Sequence, residues 1–130
     1  MKLSKMKIAA VLAWIIGVMA VVAGGRVLSG KLPDYTVIDW LPVYNFVMGV
    51  ITVLATAVLI WKNSRYAMLA AGATFFAHTV VMLILLTALR TIVAFDSLVA
   101  MTVRMLVWIV ILVLLYSAAK TGFQKRTVNV

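Results

Sequence analysis

Cysteine and glutamate are both absent from this 130-residue chain. Without cysteine there is no disulfide, no thiolate nucleophile, no cysteine-ligated iron–sulfur cluster and no lipid attached to a cysteine. The acidic side chains are three aspartates, Asp34, Asp39 and Asp96, and the one histidine is His78. The sequence therefore contains no carboxylate pair, no metal-ligand cluster, no nucleophile beside a base and no glycine-rich phosphate loop. We predict that the protein is not an enzyme and binds no metal.

Polar residues are also scarce. Hydrophobic residues make up 66% of the chain, and its mean hydropathy is +1.19. A soluble globule of this size needs more polar surface than these residues can provide. We therefore predict an integral membrane protein whose solvent is the lipid bilayer.

Four long apolar stretches take up most of the sequence, at about 7–24, 41–61, 66–89 and 97–118. At about 1.5 Å per residue, roughly 20 residues cross a hydrocarbon core about 30 Å thick. The apolar runs are continuous rather than alternating, which favours helices over a β-barrel. The prediction is one all-α transmembrane domain over 1–130, an antiparallel four-helix bundle.

Basic residues are concentrated at the ends of these stretches, and the formal net charge is +9. Eight of them precede the first span, separate the second from the third or follow the fourth: Lys2, Lys5, Lys7, Lys62, Arg65, Lys120, Lys125 and Arg126. The other two connections hold only Arg26, Lys31 and Arg90, together with all three aspartates. Cations are retained on the cytoplasmic side during insertion, so we predict a multi-pass protein of the cell (inner) membrane with both termini cytoplasmic. A nucleic-acid-binding protein gathers its basic residues on one polar face, and this distribution predicts no nucleic-acid partner.

The N-terminal lysines and the apolar run after them resemble a signal peptide. The run from Ile8 to Ala23 is longer than the usual hydrophobic region of roughly 7–15 residues, which favours an uncleaved first helix over a cleaved signal. The following segment, 25–40, is half apolar, with Tyr35 and Trp40 as interface anchors. We expect it to lie on the external membrane surface.

Small residues recur along the first span. Ala9, Ala13 and Gly17 stand at four-residue steps, and Ala20 and Gly24 continue the stripe. Such spacing lets a neighbouring helix approach closely, and packing of this kind holds helices together in lipid. The neighbour is the second helix, the fourth helix or another copy of the chain, and we favour a contact within the bundle.

His78 lies near the middle of the third span, on a face with Ala67, Ala71 and Thr74. Small residues favour the interior, so we expect His78 to point into the bundle, to lean away from Arg104 and to bond a threonine or a carbonyl. A histidine at this depth could instead relay a proton or ligate haem. Haem would need a second axial ligand from Met48, Met82, Met101 or another chain.

Arg104 lies about two turns inside the fourth span, with Trp108 four residues later on the same face. Helical side chains lean toward the helix N-terminus, so the guanidinium is expected to reach toward the external side. The predicted polar cluster there consists of Arg104, Asn45, Tyr44, Asp39 and Asp96. We favour a clasp between the second and fourth helices over an anion site.

Three known classes of membrane protein resemble this chain in part. The size resembles that of small multidrug exporters, which depend on a glutamate in the first helix. Four-helix disulfide-generating quinone reductases require cysteine pairs. The segment FFAHTVVM resembles the Ala-His element of four-helix glutathione and eicosanoid enzymes, but their Glu-Arg pair and asparagine have no counterpart in this chain. None of these families is assigned.

Three functional hypotheses remain. The first is a non-enzymatic accessory or scaffold subunit that acts by helix packing, as a homo-oligomer or with a partner membrane protein. The second is a small oligomeric transporter or channel with an outward-facing polar vestibule. The third is a haem-binding electron carrier that uses His78; the first hypothesis requires no cofactor.

Overall fold

The computed structural model describes residues 4–129. Within that range the chain forms four helices and no strand: α1 (Lys5–Leu28), α2 (Leu41–Trp61), α3 (Ala67–Leu86) and α4 (Phe95–Val128). All four are long and apolar enough to cross a membrane. The all-helical prediction with four spans is confirmed at this level. Lys2, one of the predicted cytoplasmic cations, lies outside the described residues, and the side chain of Arg126 is not described.

The helices do not end where the apolar runs end. Helix α1 begins two residues earlier than predicted, after Ser4, whose Oγ accepts a hydrogen bond from the Lys7 amide, and it continues to Leu28 instead of ending at 24. Helix α4 continues ten residues beyond the predicted end at 118. The apolar run marks only the part suited to lipid, whereas alanine, lysine and glutamine continue a helix into water. Helix α3 ends at Leu86 rather than 89, and a turn follows it.

Helix α2 contains one π-helical turn, Thr52–Thr56. The amide of Ala57 bonds the carbonyl of Thr52, five residues back, instead of the usual four. Such a turn frees a carbonyl, which is costly in lipid unless a neighbour donates to it. The indole Nε1 of Trp14 in α1 donates to the carbonyl of Val53 at 2.9 Å. Helix α1 therefore stabilises the irregular turn in α2.

The small-residue stripe of α1 packs against α2, which confirms a contact within the bundle. A methyl group added at Gly49 would lie 2.7 Å from the Val21 nitrogen and 2.8 Å from the Gly17 oxygen. One added at Gly24 would lie 2.5 Å from the Pro42 oxygen. These are backbone atoms that cannot move aside, so the close approach requires glycine.

Two groups of buried apolar residues fill the bundle. The larger one surrounds Trp108 and includes Ala9, Ala13, Ile60, Ala71, Ile111 and Leu115. The smaller one contains Ile38, Leu41, Val81, Leu85 and Met101. Ile38 belongs to the connection between α1 and α2, which spans 29–40 rather than the predicted 25–40 because α1 is longer. This connection therefore also packs onto the bundle through Ile38.

Replacing Gly49 by alanine tests the close contact between α1 and α2. We expect Gly49→Ala to lower the free energy of unfolding by about 1–3 kcal/mol, because the new methyl group meets backbone atoms of α1. The matched control is Gly72→Ala in α3, where an added methyl group meets nothing within 4 Å. Thermal unfolding in mild detergent measures both variants. Equal stability of the two would contradict the close contact.

Candidate functional site

A hydrogen bond links α2 to α3 through Tyr44 and His78. The Tyr44 Oη and the His78 Nδ1 lie 2.7 Å apart, and their rings meet nearly edge to face. His78 is buried, as its alanine-lined face predicted. The prediction of a threonine or a carbonyl as the partner is wrong. The long side chain of Tyr44 reaches the imidazole from the neighbouring helix instead.

A second hydrogen bond links α2 to α4. The Nη1 of Arg104 donates to the Oδ1 of Asn45 at 2.7 Å, and only 7% of the Arg104 residue surface is exposed. Asn45 directly follows Tyr44, so two consecutive residues of α2 hold His78 of α3 and Arg104 of α4. A charged donor shortens and strengthens such a bond. The two hydrogen bonds together join α2 to α3 and to α4, as expected of a polar contact that holds helices together.

Asp39 and Asp96, the other predicted members of the cluster, are both exposed. Among the described residues, neither forms a hydrogen bond or an ion pair with Arg104. Asp96 stands eight residues before Arg104 in α4, about 12 Å along the axis, which is beyond the reach of the guanidinium. Arg104 is thus held by a neutral amide and not by a carboxylate.

Two buried donors of this region lack a partner among the described residues. They are the Nε of Arg104 and the Nε1 of Trp108. Both residues line a crevice between the four helices together with His78, Met48, Thr52 and small residues of α1 and α2. The crevice is too narrow for a water-sized sphere. His78 and Arg104 were expected to lean apart, yet they line the same crevice.

A wider cavity lies beneath the connection between α1 and α2. It has a volume of about 60 Å³ and is lined by Tyr35, Ile38, Pro42, Asn45 and Ser97, among others. Asn45 also accepts the hydrogen bond of Arg104, whose side chain lines the narrow crevice.

The surroundings of His78 leave little room for a haem. Tyr44 takes its Nδ1, and the indole ring of Trp108 lies 6.3 Å from the imidazole, centroid to centroid. Met48 lines the same crevice, whereas Met82 and Met101 belong to the smaller apolar group around Leu85. The geometry does not favour any of these methionines as an axial ligand.

The pairing of Tyr44 with His78 was not predicted from the sequence. Tyr44 lies three residues from the start of α2, about 5 Å, and His78 lies eight residues from the end of α3, about 12 Å. The positions of the two residues along their helices therefore gave no indication that they pair. The long tyrosine side chain spans much of the difference in their positions. The sequence also provided no sign that the indole N–H of Trp108 has no partner among the described residues, although it placed Trp108 on the same helix face as Arg104.

Comparison of the chain with family models, with curated proteins and with solved structures gave no match.

Removing the Tyr44 hydroxyl tests the link between α2 and α3. We expect Tyr44→Phe to lower the free energy of unfolding by about 1–3 kcal/mol, because the buried Nδ1 of His78 loses its partner. Tyr116→Phe is the control, since Tyr116 is 66% exposed. Thermal unfolding in detergent compares the two variants with the unsubstituted chain. If Tyr44→Phe and Tyr116→Phe lower the free energy of unfolding by the same small amount, the hydrogen bond does not hold the helices together.

Proposed function

We propose that the protein is a non-enzymatic component of the cell membrane, an accessory or scaffold subunit that acts by helix packing. The observation that carries this proposal is that buried polar side chains of different helices bond one another. Tyr44 and Asn45 bind His78 and Arg104 across the helices, and the crevice beside them is too narrow for water. Buried polar groups that bond one another stabilise a bundle, whereas a substrate path needs open space.

The outer surface supports an interaction role. Large apolar side chains are exposed along all four helices, for example Ile15, Leu54, Leu69, Phe76, Leu106 and Val113. In a membrane these side chains face lipid or the helices of another protein. We propose that some of them contact a second copy of the chain or a partner membrane protein.

The proposed arrangement is antiparallel, in the inner membrane, with both termini in the cytoplasm. Two lysines of α1 support it. The Nζ of Lys7 donates to the Trp61 carbonyl at the end of α2, and the Nζ of Lys5 donates to the Ser117 hydroxyl in α4. The start of α1 therefore lies beside the cationic segments that follow Trp61 and Ser117. Gathering of lysines at one end of the bundle is the pattern of a cytoplasmic face.

A transporter or channel is the second candidate. The cavity beneath the α1–α2 connection supports it, because Asn45 lines that cavity and holds the buried Arg104. Four helices of a single copy seldom enclose a continuous path by themselves, so this function requires an oligomer. Asn45 would then gate an outward-facing vestibule.

Co-purification in mild detergent tests the proposed function. Tagged and untagged copies are expressed together, solubilised and captured through the tag. We expect a discrete complex that contains the untagged copy or another membrane protein, because the exposed apolar faces associate. Mixing the two copies only after solubilisation controls for association in detergent. A lone monomer would contradict the proposal, and solute flux in proteoliposomes would favour the second candidate.

A further inference from the structure

An open cavity lies at the end of the bundle where α1 begins and α2 ends. Its volume of about 570 Å³ is within the range of roughly 300–1,000 Å³ that small-molecule sites occupy. We call it the lysine cavity, and the residues that line it are Ser4, Met6, Lys7, Trp61, Lys62 and Asn63. It is separate from the crevice beside Arg104 and from the cavity beneath the α1–α2 connection.

Contacts between the two helices hold the walls of the lysine cavity in place. The Nζ of Lys7 donates to the Trp61 carbonyl at 3.0 Å and lies 3.7 Å from the centroid of the indole ring. The same indole ring contacts the ring of Trp14, with the two centroids 5.3 Å apart. Trp14 is itself bonded to the Val53 carbonyl. The wall from α1 is therefore fixed to the wall from α2 before any ligand arrives, which lowers the entropic cost of binding one.

Two ammonium groups give the lysine cavity a positive charge. An ammonium group has three N–H donors, and Lys7 uses one of them on the Trp61 carbonyl. Lys62 adds a second, exposed ammonium group. The lining contains no carboxylate. Lys7 and Lys62 are therefore free to donate to an anion.

The acidic residues of the chain are too far away to neutralise these lysines. Asp34 and Asp39 belong to the connection before α2, and α2 extends for 21 residues, about 30 Å, before it reaches the lysine cavity. Asp96 stands 21 residues, also about 30 Å, before Ser117, the residue of α4 that bonds Lys5 at the start of α1. Charges at such distances are screened by salt, whose Debye length is about 8 Å under physiological conditions.

The position and lining of the lysine cavity suit a lipid headgroup. Helices α1 and α2 are long enough to cross the membrane, so their ends lie at its surface. Trp61 is 38% exposed, and tryptophan at a helix end prefers the headgroup region. Met6 and Trp61 supply an apolar wall, and Ser4 and Asn63 supply a hydroxyl and an amide beside the lysines. An amphiphile with a negative charge satisfies all of these groups.

We infer that the lysine cavity binds an anionic phospholipid whose headgroup ends in an uncharged alcohol, as in phosphatidylglycerol. Lys7 and Lys62 bind the phosphate oxygens, the hydroxyl and amide side chains bond the alcohol, and the apolar wall packs against the glycerol backbone. A headgroup that carries an amine would bring a further positive charge beside the two lysines, which disfavours phosphatidylcholine and phosphatidylethanolamine. The inference is independent of the proposed scaffold role.

Thermal unfolding of the purified full chain in mild detergent tests the inference. Phosphatidylglycerol is titrated into the micelles against phosphatidylcholine at constant total lipid. A ligand that binds only the folded state raises the Tm in a saturable way. We expect phosphatidylglycerol to raise the Tm by about 3–6 °C over phosphatidylcholine. Equal Tm values in the two lipids would overturn the inference.

Sodium phosphate, compared with sodium chloride at constant ionic strength, distinguishes a lipid from a free anion. We expect it to leave the Tm unchanged, because a free phosphate lacks the part that packs against the apolar wall. A rise in Tm with sodium phosphate as large as the rise with phosphatidylglycerol would overturn the assignment to a lipid.

Lys62→Gln removes one charge from the lysine cavity and keeps the length of the side chain. We expect it to weaken the apparent affinity for phosphatidylglycerol about tenfold, the effect of losing one hydrogen bond to a charged group. Lys120→Gln is the matched control, because Lys120 is exposed one turn beyond Ser117 at the same end of the bundle and does not line the cavity. An equal loss in both variants would show general attraction to a negative surface and would contradict the site.

Asn63→Asp places a negative charge inside the lysine cavity. Asn63 has a positive φ of 54°, a conformation that aspartate also tolerates, so the turn is kept. We expect Asn63→Asp to abolish the difference in Tm between the two lipids, because the carboxylate repels the phosphate. Gln124→Glu, an exposed amide-to-acid change in α4, is the control and should retain the difference. A full difference in Asn63→Asp, or an equal loss in Gln124→Glu, would overturn the inference.

Discussion

Lipid offers no hydrogen bonds, and this constraint governs the whole structure. Each buried polar group must find its partner inside the protein. The π-helical turn of α2 meets the requirement through Trp14, which donates to the freed Val53 carbonyl. The Thr74 hydroxyl donates to the Ala70 carbonyl, so the Thr56 hydroxyl, 3.4 Å away, serves as the donor to Thr74. Near the start of α2, Tyr44 bonds the Nδ1 of His78 and Asn45 bonds the Nη1 of Arg104. Two donors, the Nε of Arg104 and the Nε1 of Trp108, remain without a partner in the described chain.

Close packing of α1 on α2 positions these polar contacts. The helices approach each other closely at Gly24 and Gly49, where an added methyl group would meet backbone atoms, and at Gly17, where it would meet the side chains of Thr52 and Val53. That approach brings the Trp14 indole to the carbonyl of Val53. It also fixes α2, whose Tyr44 and Asn45 reach the other two helices. The close packing of the small residues therefore positions Tyr44 and Asn45 for their hydrogen bonds to the other helices.

The sequence predicts some of these features well and others not at all. Hydropathy locates the four spans because the bilayer requires long apolar helices, and helical periodicity identifies the buried faces of His78 and Arg104. The helix ends were missed, since hydropathy marks the lipid-embedded part and α4 continues as a polar helix to Val128. Opposite charge suggested that Asp39 and Asp96 group with Arg104, but both are exposed, and among the described residues neither forms a hydrogen bond or an ion pair with it. The pairing of Tyr44 with His78 and the π-helical turn depend on the relative depth and rotation of helices, which only packing determines.

The central claim is that four helices cross the bilayer with their cationic ends in the cytoplasm. Because the chain has no cysteine, single cysteines introduced at Ser29, Ser64 and Thr121 can be labelled individually with a membrane-impermeant maleimide. In intact cells we expect labelling of Ser29→Cys only, with Ser64→Cys and Thr121→Cys labelled after lysis. Labelling of Ser64→Cys or Thr121→Cys from outside, with Ser29→Cys protected, would contradict the account.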